Sequence, residues 1–205
     1  TRSDRDWSSD VCSSDLFDAY GSRAYGKEAV TQLEHALQTA HLGESEGAEQ
    51  ELIVAAFLHD LGHLIGLSKH HEEGAPSSDD GSPFGTGDDL HQYVALPFLR
   101  PVLPSAVVDP IGLHVEAKRC LCAIDPTYRA KLSPLSIHTL KLQGGIYTKE
   151  EADAFQHRPF ALDAMRLRRW DDAAKVPGVK TPPFEHYFSM LSQIYAQHSE
   201  MRAAH

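Results

Sequence analysis

Residues 55–66 read AAFLHDLGHLIG and close a nearly all-apolar run over residues 51–65. A run of that length and composition suits a helix lying inside a core rather than on a surface. Within it His59 and Asp60 stand side by side among Phe57, Leu58, Leu61 and Leu64. Burying a carboxylate and an imidazole is costly unless something pairs them. A metal cation does so, because both groups are natural ligands and the ion's charge offsets the lost hydration. His63 follows His59 by one helical turn and shares its face, so it is expected to point toward the same cavity.

Working outward, Val30, Leu33, Leu37 and Ala40 recur at helical spacing. Residues 66–87 are expected to form a long surface loop, since the chain turns into GAPSSDDGSPFGTGDD (residues 74–89), too polar to pack and rich in turn formers. Asp88 or Asp89 could cap a short helix bearing His91, Tyr93 and Val94, ended by Pro97 or Pro101. A helix from Ser105 to about Ala123, with a break near Asp109-Pro110, carries His114 and Lys118. Ser133-Pro134 opens another that Gly144-Gly145 stops. Thr148 and Glu151 form a capping box, and helical patterns continue over residues 159–175 and from Pro183 onward. No stretch alternates like a strand with hairpin signals. The fold class is all-α, without an internal repeat or a domain linker.

The formal net charge of −10 argues against a nucleic-acid partner, which usually meets a basic face. No run of 18 or more apolar residues occurs, so a membrane partner is not expected and a cytoplasmic location is. Nothing marks an obligate protein partner. Thirteen His against three Cys points metal chemistry toward imidazole and carboxylate ligands, which suit Fe, Mn or Zn. Residues 6–16 (DWSSDVCSSDL) read as a translated sequencing adapter. Residues 1–16 are therefore set aside as a non-native segment, and residues 17–205 are expected to form one domain.

The string AAFLHDLGHLIG resembles the HD-domain superfamily of helical metalloproteins, whose bundles enclose a buried di-metal site. The family pattern of His, then His-Asp, then a distant Asp is matched in order by His35, His59, Asp60 and Asp171. His91 and His114 fit the two further His of the di-metal members. By this resemblance His35, His59, Asp60 and Asp171 hold a first metal, while Asp60 bridges to a second held by His91 and His114. Asp172 competes for the final position; Asp171 is preferred on its spacing to Lys175, which resembles myo-inositol oxygenase.

Within the superfamily, Tyr25-x-x-Glu28 followed by VTQLEH (residues 30–35) resembles the mixed-valent di-iron oxygenases that cleave phosphonates, the PhnZ-like and TmpB-like enzymes. The resemblance implies two Fe ions as an Fe(II)/Fe(III) pair, with O2 as co-substrate. It implies a small anionic organophosphonate of the 1-hydroxy-2-(trimethyl)aminoethyl type, cleaved to phosphate and glycine or betaine. Tyr25, Asp60 and His63 would be catalytic, with Tyr25 leaving a metal when substrate arrives. Lys118, Ser136, Thr139, Gln143 and Arg168 would hold the phosphonate, His63 would contact the substrate, and Glu28 would meet its far end. Lys118 is four residues after His114 and Arg168 three before Asp171, which sets both cations on the ligand-bearing faces. Thr31, Gln32 and Glu34 are candidates to orient His35. The competing reading is a metal-dependent HD phosphohydrolase acting on a phosphate ester. A non-catalytic metal or ligand sensor is a third.

Overall fold

A computed structural model describes residues 9–73 and 90–204. Among the described residues, helices are the only regular secondary structure apart from one isolated antiparallel bridge between Ala24 and Thr31. Its helices are α1 (Ser9–Tyr20), α2 (Gln32–Ser45), α3 (Gln50–Leu58), α4 (Leu61–Glu73), α5 (His91–Val94) and α6 (Leu96–Leu99). They continue as α7 (Ser105–Ile124), α8 (Pro126–Ala130), α9 (Pro134–Leu142), α10 (Lys149–Gln156), α11 (Ala161–Ala173) and α12 (Phe184–Ala203).

Helix α3 is the centre of the core, with every residue from Leu52 to Leu58 buried. Each large aliphatic or aromatic side chain there contributes about 1.5–3 kcal/mol on leaving water. α2, α7, α11 and α12 pack around it. Phe17 of α1 stacks on Phe57 with ring centroids 5.1 Å apart, so α1 crosses the expected boundary at residue 16. The stretch Gln50–Ser68 is long and apolar enough to cross a membrane, yet 78% of that window is buried inside the protein.

Three expectations are corrected. The apolar run is two helices, α3 and α4, with His59 and Asp60 in the turn between them and a hydrogen bond from the His63 amide to the Asp60 carbonyl (2.9 Å). The chain after Gly66 does not loop out at once, because α4 continues to Glu73; the remainder of the expected loop lies outside the described residues. α7 runs through Pro110 without a break. Pro110 removes one intrahelical donor, a cost of about 3 kcal/mol, and the buried faces of both flanking segments hold the helix together around it.

Local signals explain most other boundaries. Ser133 Oγ accepts from the Ser136 amide at the start of α9. Gly144 and Gly145, at φ +91° and +74°, end it, and the Gly145 amide reaches back to the Leu140 carbonyl (2.8 Å). Thr148 and Glu151 form the capping box of α10. α5 instead starts from Leu90, at φ +52°, with no side-chain cap, and Asp88 and Asp89 lie outside the described residues.

Candidate metal centre and anion cradle

Five elements bring the sequence-predicted ligands to one buried place. α2 carries His35, the α3–α4 turn carries His59 and Asp60, α5 carries His91, α7 carries His114 and α11 carries Asp171. His35 Nε2 lies 3.3 Å from His59 Nε2 and 3.4 Å from Asp171 Oδ1. His91 Nε2 lies 3.0 Å from His114 Nε2. Asp60 stands between the two imidazole pairs. Its Oδ2 is 3.5 Å from His35 and 3.3 Å from His59, and its Oδ1 is 3.3 Å from His91 and 3.8 Å from His114.

The far nitrogens decide the tautomers. Nδ1 of His35 donates to the Ala174 carbonyl (2.8 Å), that of His59 to Ala56 (2.8 Å) and that of His114 to Ile111 (2.7 Å). A carbonyl only accepts, so the proton sits on Nδ1 and each Nε2 turns its lone pair into the cluster. Facing lone pairs repel unless a proton or a cation lies between them. Both oxygens of Asp60 and Oδ1 of Asp171 are buried without a hydrogen-bond partner among the described residues. Burial disfavours ionised Asp60, yet His59 and His63 hold its carboxyl well below the usual range. Burial likewise lowers the His35 pKa, but the carboxylates of Asp171 and Asp60 win and raise it to about 9. The cluster thus demands positive charge at its centre, and its donor set fits divalent or trivalent metal ions. His35, His59 and Asp171 form one group able to hold an ion, and Asp60, His63 and His91 another.

His63 approaches the second group from the rim. Its ring stacks on His91 (4.1 Å between centroids), its Nε2 is 3.8 Å from Asp60 Oδ1, and Tyr25 meets it edge-on at 6.3 Å. Tyr25 also stacks on His35 at 3.9 Å. It is placed by a tight loop in which the Tyr25 amide bonds the Val30 carbonyl and the Glu28 amide bonds the Tyr25 carbonyl. Burial, followed by the charge of Asp60 and Asp171, pushes its phenol pKa well above the usual value. Thr31 and Glu34 do not orient His35: they cap α2 through reciprocal bonds of 3.2 and 2.7 Å. The Ala174 carbonyl does that instead, 139 residues away in sequence.

Beside Asp171, four of the predicted anion donors, Lys118, Ser136, Thr139 and Arg168, gather into one cradle. Lys118 is 1% exposed and donates to Thr139 Oγ1 (2.9 Å). Burial, then the nearby Arg168, depress its ammonium pKa to about 7. Arg168 Nη1 pairs with Asp171 Oδ2 at 2.8 Å. Ser136 Oγ donates to Asp172 Oδ1 (2.9 Å) and accepts from Lys175 Nζ (3.0 Å). Gln143 lies at the C-cap of α9, its buried Oε1 without a partner among the described residues. Glu28 accepts from Ser133 Oγ (2.7 Å), tying the Tyr25 loop to the start of α9.

Sequence reasoning named Asp172 as a rival ligand, and its carboxylate instead faces away into Arg168, Tyr128, Ser136 and Lys175. It missed Lys175 as part of the cradle, although Lys175 follows Asp171 and Asp172 closely and, just past the end of α11, turns its ammonium back to both carboxylates (3.9 and 3.4 Å). It missed Tyr128 altogether. No local signal could link Tyr128 to a carboxylate 44 residues on.

Over 173 residues, 84% of this chain and 81% of the relative, the chain is 42% identical to the hydroxymethylphosphonate dioxygenase of Gimesia maris. The chain belongs to the phosphonate dioxygenases. The [1-hydroxy-2-(trimethylamino)ethyl]phosphonate dioxygenase (glycine-betaine-forming) of Leisingera caerulea is 38% identical, over 89% of this chain and 88% of its own length. Uncharacterized protein L432 of Acanthamoeba polyphaga mimivirus is 31% identical, over 89% and 80% respectively. No protein-family model matches. This phosphonate dioxygenase is an O2-dependent enzyme, and its described residues form an all-α bundle around a buried centre whose His and Asp side chains suit a metal cofactor.

Proposed function

We propose that this phosphonate dioxygenase cleaves the carbon–phosphorus bond of a 1-hydroxyphosphonate with O2, releasing phosphate and the matching carboxylate. The observation that carries this reading is the placement of Asp60, whose two oxygens face separate imidazole pairs as a bridging carboxylate does. His35, His59, Asp60 and Asp171 would hold a first iron, and Asp60, His91 and His114 a second. An Fe(II)/Fe(III) pair supplies the redox chemistry that O2 activation requires.

The chain's own groups bind and orient. Lys118, Arg168, Ser136, Thr139 and Gln143 receive the phosphonate oxygens, with Lys175 beside them, through charge-assisted hydrogen bonds of about 1.5–3 kcal/mol each. Tyr25 covers His35 and excludes water until substrate displaces it. His63, against His91 and Asp60, contacts the substrate's hydroxyl-bearing end. Glu28, held by Ser133, faces the opposite end of the substrate and suits an amino or trimethylammonio group. Residues 17–205 make up this catalytic domain.

The test supplies the iron-loaded protein with hydroxymethylphosphonate or with 1-hydroxy-2-(trimethylamino)ethylphosphonate and follows O2 and phosphate together. Equimolar O2 uptake and phosphate release, with formate or betaine as the second product and silence without O2, is the expected result. The balance holds, because R–CH(OH)–PO3H2 and O2 together contain the atoms of R–COOH and phosphoric acid. Anaerobic phosphate release from phosphate esters with Mn or Mg would establish the hydrolase instead. The preferred substrate of the pair reads out whether Glu28 meets a cation.

A further inference from the structure

Asp172 is an acidic side chain for which the proposed ligand set has no place, and it contacts Arg168, Ser136 and Lys175 of the cradle. Its side chain is 10% exposed. Oδ1 accepts from Arg168 Nη2 (2.7 Å) and Ser136 Oγ (2.9 Å), with Lys175 Nζ at 3.4 Å. Oδ2 accepts from Arg168 Nε (2.8 Å) and the Tyr128 hydroxyl (2.5 Å). These donors come from α8, α9, α11 and the segment just after α11.

Two of the three nitrogens of Arg168 are thereby engaged, which fixes the guanidinium plane and leaves Nη1 toward Asp171 (2.8 Å). A guanidinium is a rigid fork that prefers to grip a carboxylate with two parallel bonds. Without Asp172 that fork would turn onto Asp171, taking Arg168 out of the cradle. Lys118, Arg168 and Lys175 would also lose a nearby negative charge while buried together.

We propose that Asp172 is the positioning residue of the anion cradle: it never touches the phosphonate, and it sets phosphonate affinity by holding Arg168, Ser136 and Lys175 in place. This rests on the reading of the cradle as a phosphonate site. Methylphosphonate, which lacks the carbon-bound hydroxyl, probes the cradle without turnover. Calorimetric titration of methylphosphonate into the iron-loaded full chain should give Asp172→Asn a Kd raised about tenfold or more, the loss of one charge-assisted bond. Its iron content should match the parent's, and Asp172→Glu should recover part of the affinity. Because Asp172 acts in part through Arg168, Asp172→Asn combined with Arg168→Lys should lose less affinity than the sum of the two single losses.

An unchanged Kd in Asp172→Asn, additive losses in the double variant, or loss of iron along with affinity would each overturn the proposal. Should Asp172→Asn fail to fold, Tyr128→Phe removes one donor to Oδ2 and keeps the ring. A severalfold weaker Kd there sustains the proposal, and an unmoved one ends it. A parent that binds methylphosphonate but releases no phosphate from 1-hydroxyphosphonates with O2 defeats the functional reading and leaves this inference standing. A parent that turns over while Asp172→Asn binds normally defeats this inference alone.

Discussion

Among the described residues, Asp60 is the one side chain that both halves of the centre share, Oδ2 facing His35 and His59 and Oδ1 facing His91 and His114. Asp60→Asn keeps the shape and removes the charge, so both ions should be lost; retention of both by elemental analysis would sink the bridging role. His63→Ala should behave differently, keeping its iron while turnover falls. Iron loss there would make His63 a ligand of the group it forms with Asp60 and His91. Lys118 carries a pH dependence. Its ammonium is depressed to about 7 by burial and then by Arg168, so positive charge is present below that pH and is lost as pH rises through it. Methylphosphonate affinity should therefore fall across that range, at a pH shifted upward by the bound anion. The ligand's own titration alone should remain in Lys118→Gln, and superimposable profiles would remove Lys118 from the anion site.

At the scale of elements, the second imidazole pair depends on how closely α4 meets α5. A Cβ added at Gly62 would lie 2.0 Å from the His91 carbonyl oxygen and 2.7 Å from its carbon, and these are backbone atoms that no rotamer change can move. Gly62→Ala should therefore destabilise the fold by about 1–3 kcal/mol through overpacking. It should also displace His91 and lower iron binding. Thermal melting and metal analysis together check this, and a variant with normal Tm and full iron would show that α5 yields freely. A similar closeness joins α2 to α11, where Gly43 lies against the Trp170 ring. The α2–α11 junction is the one that bears His35 and Asp171, 3.4 Å apart.

For the whole molecule, the core is built around carboxylates and imidazoles that only a cation reconciles, so metal loading and folding should be linked. Adding Fe(II) anaerobically to the metal-free chain should raise Tm, with about 4 kcal/mol of stabilisation when free metal exceeds Kd a thousandfold. A chelator should reverse it. An unchanged Tm on saturation would mean that the buried cluster tolerates its own charge without the metal.

The helical class, the caps at Ser133 and Thr148, the stop at Gly144-Gly145 and the buried character of residues 51–65 were all legible in the sequence, because each depends on neighbours within a few residues. The convergence of His35, His59, Asp60, His91, His114 and Asp171 was legible only through the family resemblance, since spacing along the chain carries no information about which helices meet. The break between α3 and α4, the continuity of α7 through Pro110 and the onward run of α4 went against local signals. Burial on both sides of Pro110 outweighs its missing donor, and the turn at His59-Asp60 aims two adjacent side chains into one cavity. Which acid of the Asp171-Asp172 pair faces the imidazoles could not be read locally. Adjacent residues on a helix point about 100° apart, and only the packing of α11 against α2, α3 and α7 turns Asp171 toward His35 while Asp172 meets Tyr128 and Ser136.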